Sequence, residues 1–244
     1  MKQHEAVYNA MVNQGGYSTL GDLYRTAIKM PNCIWKAKDP YANIRRVVQT
    51  NPLFFRIKPG LWGLSSKKDE ILKELGLSDD SPKQKEERFT HSYYQGLLLQ
   101  IGKIKGFDTY IPQQDKNKPF IRKRLGDFSS IVEIFPFTYD YLLNKAKSID
   151  VIWFNDRRLP DSFFEVEHST NIQNALMKFV NFQDFRIKFY IVADRLRKLD
   201  YENKASQYLF KPIFNYIRFL DYDSLSKIYT KESELAMLKE ESGF

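Results

Sequence analysis

The reading of this chain turns on two neighbouring stretches, Ser148-Ile149-Asp150-Val151-Ile152-Trp153-Phe154 and Phe163-Phe164-Glu165-Val166-Glu167-His168-Ser169-Thr170. Each has the apolar, aromatic and β-branched run of a short strand, and the segment between them, 156–161, is polar enough to turn. Glu165 and Glu167 are two residues apart, so on a strand both carboxylates point to one face. A simple hairpin centred on 156–161 sets Asp150 opposite Glu167. Three carboxylates then converge on one small area. Like charges so close repel strongly unless a cation joins them. Oxygen ligands of this kind suit a hard divalent ion, Mg²⁺ above all. The bland alternative, an exposed acidic hairpin edge, fits poorly with strands this apolar.

Outward from this pair the pattern alternates helix and strand. Upstream, Phe89–Gly102 places Tyr94, Leu97, Leu98 and Ile101 on a buried helical stripe. Glu87, His91 and Gln95 form a separate column at spacing four. Glu87 reads as helix surface. Residues 107–112 read as a strand, 113–124 (QQDKNKPFIRKR) as a basic loop and 137–147 as a helix. Strands at 149–155 and 162–168 follow. Downstream, Ser169, Thr170 and Asn171 are placed to cap a helix over about 172–183. Its inward residues are Ile172, Ala175, Leu176, Phe179 and Val180, and Lys178 lies off that stripe. A strand with one polar face spans 185–191, and the tail from about 203 reads as two or three helices. The class is α/β.

Residues 1–64 read differently. Ala6, Val7, Ala10 and Met11 mark a first helix, which Gly15-Gly16 ends. Ser18-Thr19 can cap a second, with Leu20, Leu23, Tyr24, Ala27 and Ile28 inward. Asp39-Pro40 starts a third, carrying Ile44, Val47 and Val48. Phe54–Leu64 holds two β runs around Pro59-Gly60. Three short helices and a hairpin are winged-helix order. Asn43, Arg45, Arg46 and Gln49 lie off the third helix's apolar stripe, and Lys58 sits on the wing, as groove and phosphate contacts require. The segment resembles the HARE-type winged helix of bacterial polymerase subunits and some DNA-modifying or restriction proteins. The resemblance rests on the Gly-Gly break, Trp35, Asp39-Pro40, Ile44-Arg45-Arg46, Asn51 with Phe54-Phe55, and Pro59-Gly60-Leu61-Trp62. It implies DNA binding, with Trp35 and Trp62 as packing residues. Residues 65–88 (SSKKDEILKELGLSDDSPKQKEER) read as a charged linker with a short helix near 67–75, and 89–244 form the second domain.

Across about 86–215 the chain resembles the PD-(D/E)XK nuclease superfamily. Its bacterial restriction endonucleases match in His91-xxx-Gln95-Gly96, Ile149-Asp150-Val151, Phe164-Glu165-Val166-Glu167-His168 and Ile191-Val192-Ala193-Asp194. The resemblance gives Asp150 the strand-start Asp role and Glu165 the acidic role. Ile149 stands where Pro is usual, and Glu167 where Lys is usual. The catalytic and metal-binding set is then Asp150, Glu165 and Glu167. Glu167 completes the metal shell or accepts the proton of the attacking water. Gln95 and His91 are accessory candidates beside it. Lys178 is a candidate source of the missing positive charge, although its spacing points it toward solvent or phosphate. His168 is expected on the opposite strand face, as a packing residue.

Composition sets the outer limits. The 244 residues are 43% hydrophobic and 15% aromatic, enough for a buried core. No apolar run reaches the ~18 residues of a membrane-spanning helix. The first residues lack a signal-peptide pattern, and the single cysteine, Cys33, excludes an internal disulfide framework. A cytoplasmic protein is expected. Net charge is +8, and residues 1–60 carry nine basic residues against three acidic ones. A basic lobe of this kind suits a polyanion. No glycine-rich nucleotide loop is present. Within these limits the two resemblances imply a site-specific, Mg²⁺-dependent deoxyribonuclease acting on double-stranded DNA, a type II restriction enzyme or a modification-dependent relative. A homodimer and a nearby cognate methyltransferase would suit that role. The rivals are a non-enzymatic winged-helix regulator with a degenerate nuclease core and an RNA-processing nuclease.

Overall fold

Val151–Phe154 is apolar at every position and buried at every position, the signature of a strand covered on both faces. In the computed structural model, which describes residues 1–35, 39–169 and 171–243, this strand lies inside a mixed sheet. In chain order the elements are α1 (Gln3–Asn13), β1 (Tyr17–Thr19), α2 (Leu20–Ala27), α3 (Pro40–Thr50), β2 (Phe54–Lys58), β3 (Leu61–Leu64), α4 (Lys68–Leu75) and α5 (Lys83–Ile104). Then come β4 (Asp108–Tyr110), β5 (Pro119–Phe120), β6 (Lys123–Arg124), α6 (Asp140–Ala146), β7 (Val151–Phe154) and β8 (Pro160–Glu167). The chain finishes with α7 (Ile172–Val180), β9 (Lys188–Ala193), α8 (Lys198–Ala205), β10 (Ile217–Asp221) and α9 (Tyr222–Ser242). It divides into two compact units, Met1–Glu86 with Ser226–Phe244, and Glu87–Leu225. The boundary falls within the 65–88 segment, and the chain's last residues count with the first unit.

In the first unit, Thr19 Oγ1 accepts the Asp22 N–H and Asp39 accepts the Ala42 N–H, with Pro40 in the first turn, so α2 and α3 start where their caps direct. Tyr17–Thr19 is also a strand, which the sequence reading did not anticipate. It pairs antiparallel with β3, which pairs antiparallel with β2. Gly60, at φ +77°, closes the β2–β3 turn in a conformation glycine tolerates without strain. Leu23, Tyr24, Ile44 and Val48 meet in the core, and Trp35 and Trp62 pack against it as expected. Residues 36–38, including Lys36 and Lys38, lie outside the described residues.

In the second unit the five strands run in the order β10-β9-β8-β7-β4. Strands β8, β9 and β10 are mutually parallel, and β7 and β4 each run antiparallel to the strand before. On one face Ile152, Phe163 and Phe189 pack with Leu176 and Phe179 of α7. Trp153, of opposite parity, donates its Nε1–H to the Leu98 carbonyl of α5 at 3.1 Å. The helical tail expected from about 203 is corrected here. Tyr208–Ile213 is a short 3₁₀ segment and Ile217–Asp221 is strand β10. Five residues carrying Arg218 and Asp221 show too little alternation to announce a strand.

Candidate functional site

Gln95, Asp115, Glu165 and Glu167 of the second unit are almost wholly buried, at 0, 3, 2 and 6% exposed. Burying carboxylates is costly unless they are bonded or neutralised, so this cluster calls for a specific chemical reason. β7 and β8 supply its centre. The expected hairpin register is corrected: Val151 pairs with Phe164 and Ile152 with Phe163, which sets Asp150 beside Glu165 rather than Glu167. The turn is tighter than the sequence suggests, bonded from Asn155 to Leu159. A bulge follows it, because Trp153 faces Ser162 while Phe154 faces Pro160. The slip is two residues, so the three carboxylates keep a common face. The Val166 N–H donates to Asp150 Oδ2 at 2.8 Å, and the Asp150 N–H reaches Glu165 Oε1 at 3.4 Å.

α7 supplies the cation. Lys178 Nζ donates to Glu165 Oε2 at 2.7 Å and to the Ser148 carbonyl at 3.0 Å. Its expected orientation toward solvent is therefore corrected. A long lysine stem starting off the buried stripe reaches back across the helix edge to the strand.

α5 and the segment after β4 complete the cluster. The 87, 91, 95 column does bring His91 and Gln95 inward. His91 Nε2 lies 3.4 Å from Asp150 Oδ2. Gln95 Nε2 donates to Asp115 Oδ2 at 2.7 Å and to the Asp150 carbonyl at 3.4 Å. Asp115 also pairs with Lys118 at 2.7 Å. Asp115 is the residue that sequence reading missed, inside a stretch treated as a basic loop. Its signal was slight: a lone acid three residues after Pro112. Gly96 explains how the stretch docks, since a Cβ there would overlap the Phe120 ring. Arg197, equally unforeseen, donates to the carbonyls of Glu167 and His168 at 3.1 and 3.2 Å and secures the strand's end. His168 stacks with Tyr222 at 6.5 Å between ring centroids. Asn171 caps α7 through the Gln173 N–H, and Thr170 lies outside the described residues.

The electrostatics follow from this crowding. Burial, then the Asp150 charge, raises the Glu165 carboxyl well above its usual range despite Lys178. Burial and Asp150 likewise lift Glu167 to about 7. Burial acts in the same sense on Asp150, but the His91 charge and the Val166 amide outweigh it and hold that carboxyl low. Lys178 is raised, Glu165 prevailing over burial. Glu167 Oε2 is buried with no hydrogen-bond partner. Clustered carboxylates, one with an orphaned oxygen, fit a hard divalent cation, and Asp150, Glu165 and Glu167 are the residues that could hold it.

The groups proposed for DNA contact differ in their surroundings within the first unit. Arg46 and Gln49 are exposed. Asn43 donates to Gln3 at 2.6 Å, Arg45 lies 3.7 Å from Glu234, and Lys58 pairs with Glu86 at 3.2 Å.

Type II restriction enzyme NmeDI of Neisseria meningitidis serogroup C is 31% identical to this chain over 99 residues, which cover 38% of the chain and 28% of that protein. The match thus spans little more than a quarter of the relative's length. No solved structure matches the chain. The family model described as the type II restriction enzyme NmeDI C-terminal domain matches residues 76–242, a stretch holding the whole carboxylate cluster and more than half of the sequence. On that match the chain belongs to the NmeDI C-terminal domain family of type II restriction enzymes.

Proposed function

We propose that this chain is a site-specific DNA endonuclease of the PD-(D/E)XK type, with Asp150, Glu165 and Glu167 as its catalytic carboxylates and Mg²⁺ as its metal. The reading is carried by one observation, the buried Asp150–Glu165–Glu167 cluster with the Lys178 ammonium 2.7 Å from Glu165. Family membership supports the same chemistry. Mg²⁺, when bound, lends Lewis-acid stabilisation to charge developing on the scissile phosphate. Asp150, Glu165 and Glu167 are the residues that would hold it. Glu167, with its free oxygen and a carboxyl held near 7, accepts the proton of the attacking water near neutral pH. Lys178 supplies the positive charge that the Glu-x-Glu strand lacks, from a helix rather than from the strand itself. His91 and Arg197 fix Asp150 and the end of β8.

In this reading the first unit is a winged helix that recognises double-stranded DNA. Helices α1, α2 and α3 with the three-stranded antiparallel sheet of β1, β2 and β3 support that assignment. Arg46 and Gln49 are its foremost groove-facing candidates. The enzyme cuts as a homodimer, opposed by a cognate methyltransferase or restricted to modified DNA. The test is digestion of methylated and unmethylated plasmid in Mg²⁺ beside an Asp150→Ala control. Discrete fragments lost in the control support the proposal. Uncut plasmid with DNA binding that survives EDTA would replace it with the regulator.

A further inference from the structure

Five of the nine residues from Lys116 to Arg124, in the second unit, are Lys or Arg, and none is acidic. The stretch folds as the β5–β6 hairpin, with Pro119 facing Arg124 and Phe120 facing Lys123. Its ladder continues, since the Leu125 and Gly126 N–H groups donate to the Lys118 and Lys116 carbonyls at 3.0 and 2.9 Å. The hairpin is fixed to the helix that lines the carboxylate cluster. Phe120 is fully buried against Gly96 of α5. Gln95, one residue earlier, donates both to Asp115 at the hairpin's base and to the Asp150 carbonyl. Asp115 is itself buried and matched by Lys118, so it leaves the remaining cations uncompensated.

The end of the hairpin is crowded with charge. Arg122, Lys123 and Arg124 are exposed in succession. The Arg124 side chain is 66% exposed and 3.8 Å from Asp127, and the Lys123 ammonium stands 5.9 Å over the Phe128 ring. Ile121, at the turn, has φ +55°, a left-handed conformation that strains a β-branched residue. Strain of this kind clusters at functional sites, and crowded like charges repel until an opposite charge joins them. A hairpin this short has little stability of its own, so its anchoring on α5 is what holds the cations in place.

We infer that the β5–β6 hairpin is a phosphate-binding ribbon that holds the backbone of duplex DNA through Lys123 and Arg124, an inference that rests on the nuclease reading for the identity of the polyanion. The major groove admits a two-stranded ribbon, and contacts to phosphate fix the register of a duplex without reading its sequence. Docked through Phe120 and Asp115, the ribbon ties that register to the helix carrying His91 and Gln95. The first unit's Arg45 and Lys58, by contrast, already face Glu234 and Glu86.

The test is duplex binding by the full-length chain in EDTA, read as fluorescence anisotropy of a labelled duplex over a range of KCl. Each neutralised phosphate contributes about 0.9 to the slope of log K against log salt. Lys123→Ala with Arg124→Ala is therefore expected to lower the slope by about two. Both side chains are exposed, so their loss leaves the Phe120 anchor in place. Lys123→Arg with Arg124→Lys is expected to keep the wild-type slope, because a phosphate contact of this kind reads charge. Arg157→Ala removes an exposed charge at the β7–β8 turn, away from Asp150 along β7, and is expected to leave the slope unchanged. An alanine pair with the wild-type slope would overturn the inference, as would a comparable loss per charge in Arg157→Ala or any loss in the swapped pair. Cleavage in Mg²⁺ is scored separately. A wild type that binds without cutting, with the slope still falling in the alanine pair, would remove the nuclease assignment and leave the ribbon standing. Clean cutting with an unchanged slope would do the reverse.

Discussion

Glu167 is where the geometry makes its sharpest demand, because the side chain that should complete the site should also weaken the metal-free fold. The residue is only 6% exposed, and its carboxyl is held at about 7, against 4.5 for an ordinary glutamate, by burial first and by Asp150 second. The native state therefore binds this proton more tightly than the unfolded chain. Wild-type stability is highest below pH 4.5 in this respect and falls as pH rises through about 7. At 1.36 kcal/mol per pH unit, the full cost is about 3 kcal/mol near pH 8. Glu167→Gln removes the ionisation. The new amide hydrogens need partners where Oε2 has none, which returns about 1 kcal/mol. The net expectation is a variant more stable by about 2 kcal/mol near pH 8, or roughly 4–8 °C in the midpoint of the unit that holds it. The advantage should vanish near pH 4. Saturating Mg²⁺ should reverse the order, because only the wild type keeps the full ligand set. Urea unfolding at both pH values, with and without Mg²⁺, reads all of this. Equal stability near pH 8 with identical pH slopes would refute the reasoning, since it would mean that Glu167 is solvated and uncrowded.

Other perturbations test other parts of the argument. Lys178→Met should reduce plasmid cleavage by about two to three orders of magnitude while leaving DNA binding intact, the usual cost of losing one preorganised charge. A variant that cuts normally would show the Lys178–Glu165 pair to be structural. Gly96→Ala should destabilise the fold by about 2 kcal/mol by driving a methyl group into the Phe120 ring, and a Phe120→Ala change in the same background should recover part of that loss. Arg46→Ala should lower the salt slope of DNA binding by about one, whereas Arg45→Ala, already near Glu234, should change it less. Equal effects of the two arginines would argue that Glu234 does not hold Arg45 in solution.

Much of the fold was legible because its signals are local. Asp39-Pro40 starts α3, Pro59-Gly60 turns the β2–β3 hairpin, and the helical stripe after Phe89 is α5. Each depends on residues within a few positions of one another. What stayed hidden depends on distant partners. β1 is three residues long and exists because β3 pairs with it across more than forty residues of chain. β10, five residues long, is likewise held by a distant partner, β9. The hairpin register also escaped, since a turn closed between Asn155 and Leu159 and a one-residue bulge beside Pro160 together set the pairing, and no residue type announces them.

The site divides along the same line, and the division bears on how the proposed reaction centre is built. Its negative charges, Asp150, Glu165 and Glu167, are a strand pattern with period two, and such a pattern can be read directly. Its positive charges come from elsewhere. Lys178 begins on the wrong stripe of α7 and reaches Glu165 by the length of its stem, and Lys118 arrives on a loop through Asp115. Helical spacing describes where a Cα sits, not where a four-carbon chain ends. Under the proposed nuclease reading, Glu167 in the usual lysine position does not mark a lost activity, because the next helix brings an ammonium to Glu165. The consequence is a double requirement. Lys178→Met alone, or Glu167→Lys alone, should each impair cleavage, the first by removing the charge and the second by removing the carboxylate. The combination Glu167→Lys with Lys178→Met should recover part of the activity if the position of positive charge is what matters. A double variant no better than the worse single would show that the Glu-x-Glu strand does chemistry that lysine at position 167 cannot replace.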